Sequence, residues 1–315
     1  MTEHQVAVTA LTAAQVTDIQ TLAETAAASD GVAPLSEHAL LHVRYDSAGS
    51  QPQADPGRDF VLTVDGELAG YAYLDPPGPE MSGELVVHPA RRRQGLGRAL
   101  VGELTAQTGG YPLRIWAHGD LPGAARLAQT EGFDRFRALW QMRRSLRDPL
   151  PAPAFPAGRT LRTFVRGQDE QEWLSLNGRA FAKHPEQGAW TRHDLELREQ
   201  EPWFDPAGLF IAERDGTMAG FHWTKVHPEG EPDSGAAGTA PQSIGEVYVV
   251  GVDPAEQGSG LGRALTLAGL HHLRDLGLDQ VMLYVDEDNV AAIRLYEGLG
   301  FARTRTDAMY GQRER

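Results

Sequence analysis

The feature that most restricts what this chain can fold into is an internal duplication. Residues 95–100 and 260–265 both read GLGRAL, and each copy follows a proline six residues earlier, Pro89 and Pro254. Upstream, residues 60–74 (FVLTVDGELAGYAYL) parallel residues 210–223 (FIAERDGTMAGFHW). Each has an apolar run, an Asp-Gly turn and a second run opening on Ala-Gly, which is a β-hairpin signature. Downstream, residues 113–116 and 281–285 read as buried strands, each leading into a helical segment that closes on Gly-Phe, Gly132-Phe133 and Gly300-Phe301. A repeat of that length predicts two domains with separate cores, and 315 residues supply enough chain for both.

Four prolines within residues 147–158 disfavour a helix or central strand there. The expected division is therefore a domain over 1–147, a linker over 148–158 and a second domain over 159–315. A Gly-, Pro- and Ala-rich stretch over 229–242 reads as a loop between two strands of the second half. The formal net charge of −14, from 43 acidic against 29 basic residues, has the wrong sign for nucleic acid or anionic membranes as partners. The chain has no cysteine, which excludes disulfides, a thiol nucleophile and cysteine-ligated metal. His184, His222 and His227 invite a metal or a histidine-base reading, but they lack the spacing of a second ligand, so neither is expected. Neither a targeting segment nor an apolar run of about 20 residues is present, and a cytoplasmic monomer is the expected state.

In each half a strand (residues 84–87 and 247–250) runs through a short loop into Gly-x-Gly and then an apolar-periodic helix. In the second half that helix is expected to turn Leu261, Leu265, Ala268, Leu273 and Leu276 to one face. Glycines there let a ligand approach the backbone, and the unpaired N–H groups of a helix's first turn attract an anion such as a pyrophosphate. No Gly-Lys-Ser/Thr follows, so neither loop is a P-loop, and neither has the third glycine and distal acid of a dinucleotide fingerprint. The shared pattern is Gln/Arg-x-x-Gly-x-Gly, at residues 92–97 and 257–262.

Placed after a hairpin and an apolar strand, that pattern resembles the acetyl-CoA loop of the Gcn5-related N-acetyltransferase (GNAT) superfamily, and both halves look like members. Residues 288–301 (DNVAAIRLYEGLGF) are similar to the superfamily's closing Asn…Tyr…Gly-Phe segment. The resemblance implies an α/β protein of two tandem GNAT acyltransferase folds, each a mixed, mostly antiparallel twisted sheet flanked by helices. A narrower likeness runs over essentially the whole chain, through DGVAPLSE (30–37), GELVVHP (83–89), FAKHPEQGAW (181–190), GFHWTKVHP (220–228) and GEVYVVGVDP (245–254) among others. It is to tandem acetyltransferases that acetylate the cysteinyl amine of a cysteine–glucosamine–inositol conjugate. It implies acetyl-CoA as acyl donor, no metal, and a small aminosugar–inositol acceptor. Two other readings remain open at this point, a GNAT enzyme acting on an aminoglycoside or peptide amine, and a non-catalytic acetyl-CoA-binding module.

Carried over residue by residue, the likeness makes Glu246 the general base and Tyr296 the donor to the departing thiolate. Val250, Gly251 and Val252 would pair with the pantetheine arm, and Gln257, Gly258, Ser259, Gly260, Leu261, Gly262 and Arg263 would hold the pyrophosphate. Asn289, Val290, Ala291, Ala292, Ile293 and Arg294 would line the rest of the arm. The first half offers Leu85, Val86, Val87, Arg92, Arg93, Gln94, Gly95, Leu96 and Gly97 as a second acetyl-CoA site. Glu37, Glu186, Lys225 and Tyr284 would grip the acceptor together with Glu246. Anchoring the halves on their Gly-Phe pairs sets Ala128 where the second half has Tyr296, and Leu121 where it has Asn289. Anchoring on Pro89 and Pro254 sets Met81 opposite Glu246, with Glu84 on the other face of the strand. The first half is therefore expected to lack the catalytic pair.

Overall fold

The computed structural model describes residues 4–46, 57–77, 81–229 and 242–313. Most of the stretch read as a loop over 229–242 lies outside the described residues. The chain divides into two compact units, residues 1–140 with 305–315, and residues 141–304. The division is not the sequential one the prolines suggest. The crossing falls before the Pro-rich stretch, and the last eleven residues belong to the first unit. Residues 146–158 carry neither helix nor strand, in keeping with their prolines.

In the first unit, β1 (His4–Val8), α1 (Ala13–Asp30) and α2 (Glu37–Leu41) precede the hairpin of β2 (Arg58–Val64) and β3 (Glu67–Leu74). Asp65 and Gly66 turn that hairpin with positive φ at both positions (54° and 82°), the geometry a two-residue turn needs to match the strand twist. There follow β4 (Met81–Val87), α3 (Leu96–Gln107), β5 (Leu113–Ala117), α4 (Pro122–Thr130) and β6 (Phe133–Ser145), which from Gln141 onward belongs to the second unit. β1 with β2, β2 with β3 and β3 with β4 pair antiparallel, and β4 with β5 runs parallel over residues 81–83 and 113–115. The core includes Phe60, Leu62, Leu74, Leu100, Leu104 and Phe133, each contributing about 1.5–3 kcal/mol by leaving water.

The second unit repeats this order with β7 (Arg159–Thr163), α5 (Glu170–Ala180), α6 (Pro185–Gly188), α7 (Arg192–Glu199), β8 (Leu209–Arg214), β9 (Thr217–His227), β10 (Ile244–Val252), α8 (Leu261–Asp275), β11 (Gln280–Asp286), α9 (Val290–Glu297) and β12 (Ala302–Gln312). From Arg305 onward β12 belongs to the first unit, where it pairs antiparallel with β5. Asp215 and Gly216 turn the second hairpin as their counterparts turn the first (φ 52° and 78°). β10 pairs parallel with β11 over residues 245–247 alone, so the two strands part beyond Val247. The expected face of α8 holds for Leu261, Leu265, Ala268 and Leu273, which are buried. Leu276 departs from it. It lies at the helix C-cap and is 54% exposed, because the helix has ended before the periodicity brings that position round.

Candidate active site

The face of the second unit that carries Glu246 is set by strand alternation. Glu246 on β10 stands directly opposite Lys225 on β9, and His227 lies two residues further along β9, so all three project from one face. Glu246 and His227 are both buried, and His227 Nε2 lies 2.6 Å from Glu246 Oε2. Tyr284 shares that face, two residues beyond Met282, the parallel partner of Glu246. Gln141 Nε2 donates to the Tyr284 hydroxyl at 2.9 Å. Helix α8 covers the opposite face, where Gly245 packs against Leu273.

Lys225 is buried with its ammonium over the Trp203 ring at 4.5 Å and the Tyr248 ring at 5.4 Å. Such contacts stabilise a desolvated cation by about 2 kcal/mol. Trp173, Trp190, Trp203, Trp223 and Tyr248 extend this into an aromatic cluster. Glu186 is exposed on α6, and buried Asn177 fastens that short helix by exchanging bonds with Gln187 at 2.6 and 3.0 Å. His184 lies 3.4 Å from Asp286. His222 is driven down to about 4 by burial and bonds the Leu265 carbonyl through Nδ1, a neutral structural histidine. Among the described residues no group of three His, Cys, Asp or Glu side chains could hold a metal ion.

The register of β9 and β10 shifts between Val247 and Val249, a bulge at Tyr248. Bulges re-aim side chains and end local pairing, and here the bulge coincides with the parting of β10 from β11. Gly251 follows in the stretch that still pairs with β9 but no longer with β11, and a Cβ there would meet the Phe221 ring at 2.4–2.6 Å. The backbone of Val250, Gly251 and Val252 thus borders the opening between the strands. Gly258 and Gly260 adopt positive φ (77° and 88°), and Gly260 caps α8 with no side-chain cap bond of its own. Ser259 Oγ accepts from Leu261 N–H at 3.3 Å, and Arg263 is exposed. Asn289 caps α9, accepting from Ala292 N–H at 3.1 Å. Tyr296, on the last turn of α9, is half-buried with its ring 5.8 Å from that of Phe301, and burial pushes its pKa up to about 12.

The first unit contains a cavity of about 540 Å³, bordered by β4, the glycine loop and α4, with Val87, Gly95, Gly97, Trp116, His118 and Ala128 in its wall. Leu85, Val86, Arg92, Arg93 and Leu96 also line it. Gly97 leaves room for close approach, since a Cβ would sit 3.0 Å from Leu127. Arg93 takes the left-handed conformation that Gly258 takes in the second unit (φ 65°), a strain an arginine bears at some cost. Arg92 is held in that wall by its guanidinium, which donates to both oxygens of Asp30 at 2.7 Å and through Nε to the Val87 carbonyl. Arg126, at the position matching Arg294, also lines the cavity and carries no sequence motif that would single it out.

The comparison of the halves needs one correction. β4 has no bulge, whereas Tyr248 adds a residue to β10, so Ser82 and not Met81 stands opposite Glu246. Glu84 consequently shares the face of Ser82. It accepts from Ser36 N–H at 2.6 Å, at the cap of the helix that begins with half-buried Glu37. His118 lies 3.6 Å from Glu84 and 3.3 Å from Asp307. Leu121 caps α4 without a side-chain bond, unlike Asn289. His227, the rings around Lys225 and the Glu84–His118–Asp307 group were not singled out from sequence for a role. Only the alternation of Lys225 and His227 on a strand facing Glu246 carried a signal.

Residues 172–301 match the acetyltransferase (GNAT) family, and residues 55–135 match an acetyltransferase (GNAT) domain. The mycothiol acetyltransferase of Thermobispora bispora is 62% identical over 290 residues, covering 92% of this chain and 93% of its own. That of Thermomonospora curvata is 58% identical, covering 95% and 94%. Among solved structures, a GCN5-related N-acetyltransferase from Sphaerobacter thermophilus is 25% identical with a TM-score of 0.66, covering 98% of this chain and 95% of its own. A tandem GNAT protein from the clavulanic acid biosynthesis pathway shares the fold, with a TM-score of 0.70 and 98% of both chains covered. Duplicated glycine loops, a bulged strand and whole-length identity above one half in two relatives converge on one conclusion: the chain belongs to the mycothiol acetyltransferase family, built from two GNAT domains.

Proposed function

We propose that the second unit transfers acetyl from acetyl-CoA to the cysteinyl amine of the cysteine–glucosamine–inositol conjugate, giving mycothiol, and that the first unit holds acetyl-CoA without turning it over. The observation that carries this reading is the buried Glu246 carboxylate on a bulged strand that leads into a glycine-capped helix in the second unit, against Ser82 and Ala128 at the matching positions of the first.

A cysteinyl α-amine has an ordinary pKa near 7.7–8.0, so an appreciable fraction is neutral at pH 7 and a modest base suffices. Glu246 takes the amine proton as nitrogen attacks the thioester carbonyl. The carbonyl becomes an oxyanion held by a backbone N–H near Val250, and its collapse forms the amide and expels the CoA thiolate. Tyr296 faces that thiolate. With its hydroxyl at about 12 against a thiol near 8.5, complete proton transfer is uphill by about 5 kcal/mol, so the hydroxyl acts by hydrogen bonding. Lys225 and Tyr284 share the face of Glu246, where they meet the acceptor's hydroxyls, with Glu186 of the same unit completing the grip. The protein works as a cytoplasmic monomer in this reading, which size-exclusion chromatography tests for the oligomeric state.

The decisive assay follows CoA release with three acceptors: cysteinyl-glucosaminyl-inositol, free cysteine and an aminoglycoside. Acetylation of the first is expected to be far faster. Equal rates on all three would remove the substrate assignment. Glu246→Gln is expected to lower kcat by roughly 10²–10⁴.

A further inference from the structure

We infer that His227 is the positioning residue for Glu246, holding one carboxylate oxygen so that the other faces the acceptor amine. This rests on the reading of Glu246 as the base. His227 Nε2 and Glu246 Oε2 are 2.6 Å apart, and both side chains are about one-tenth exposed. With the carboxylate ionised, the bond requires Nε2 to carry a proton and donate it. Among the described residues Glu246 Oε1 makes no hydrogen bond, so His227 fixes the carboxylate from one side and leaves the other oxygen for substrate.

The choice of imidazole has a chemical reason. A buried carboxylate is costly unless bonded, yet an arginine in this place would supply a full positive charge and depress the basicity the reaction needs. An imidazole Nε2–H orients and partly satisfies the carboxylate with a single directed bond. The geometry is also cheap to build. β9 places His227 diagonally from Glu246 across an antiparallel pair, a spacing that long side chains span. His227 is the last residue of its strand and precedes Pro228, whose ring fixes the chain's exit from β9.

If His227 acts through Glu246, its removal should cost activity only while that carboxylate is present. His227→Phe is expected to lower kcat by roughly 10–10² in the otherwise unaltered protein and by less than about twofold in the E246Q background. The KM for acetyl-CoA should stay unchanged in both. His227→Gln keeps an amide N–H close to the Nε2 position and should retain kcat to within about threefold. Equal losses in the two backgrounds, or a His227→Gln protein as slow as His227→Phe, would overturn the proposal. So would a His227→Phe protein with full kcat. Should His227→Phe fail to bind acetyl-CoA by calorimetry, His227→Asn replaces it, because its donor stops short of Glu246 and the same loss is expected. If Glu246→Gln itself keeps full kcat, the assignment of Glu246 as base fails, an outcome distinct from failure of the His227 inference.

Discussion

At the scale of single residues, Tyr296 makes the clearest statement about pH. Burial favours its neutral form and lifts its pKa to about 12, so the hydroxyl remains a donor throughout the range in which the enzyme can be assayed. The kcat profile is therefore expected to show no falling limb between pH 8 and 10 that Tyr296→Phe removes. Tyr296→Phe should lower kcat about tenfold or more while leaving the KM for acetyl-CoA near its normal value, because the ring still packs on Phe301. A limb centred near pH 10 that disappears in Tyr296→Phe would contradict the hydrogen-bonding role. Glu246 and Tyr296 could be proposed from the sequence because each sits in a motif that the family resemblance carries over. His227 was not, since its role depends on a neighbour two strand positions away across β9 and β10.

At the scale of elements, the Glu84–His118–Asp307 group ties β4, the turn before α4 and the middle of β12 together within the first unit. Burial alone would push His118 down, but bonds to Asp307 and Glu84 outweigh it and bring the imidazole to about 10. Its pKa in the unfolded chain is about 6.5. The folded value is the higher one, so the group's contribution is complete below about pH 6.5 and is lost as pH rises towards 10. Thermal unfolding followed from pH 6 to 10 should show a decline that His118→Gln flattens, and a parallel decline in both proteins would refute the assignment. Elements built on local chemistry were readable in advance, as the two Asp-Gly hairpins and the two glycine-capped helices confirm. The bulge at Tyr248 was not, because register is decided by the partner strand, and one added residue moved the counterpart of Glu246 from Met81 to Ser82. The membership of Arg305 onward in the first unit was equally hidden, since continuity of chain favours the sequential division that the prolines at 149–156 advertise.

At the scale of the whole molecule, duplication left two glycine cradles that have diverged in different parts. The first unit keeps a walled cavity and Gly95 and Gly97, yet has Ser82, Leu121 and Ala128 where the second has Glu246, Asn289 and Tyr296. Selection for binding alone preserves backbone N–H groups and close approach, while selection for transfer preserves groups that move protons, and only the second unit carries the latter in matching places. Two acetyl-CoA molecules per chain are therefore expected by isothermal titration, with turnover confined to one. Ala128→Trp projects an indole into the first unit's cavity and should reduce the stoichiometry to one, with kcat at saturating acetyl-CoA within about twofold of the original. Glu246→Gln should do the converse, keeping two equivalents while kcat collapses. A single equivalent in the unaltered protein would refute binding in the first unit, and a collapse of kcat in a folded Ala128→Trp protein would mean that both cradles serve the reaction.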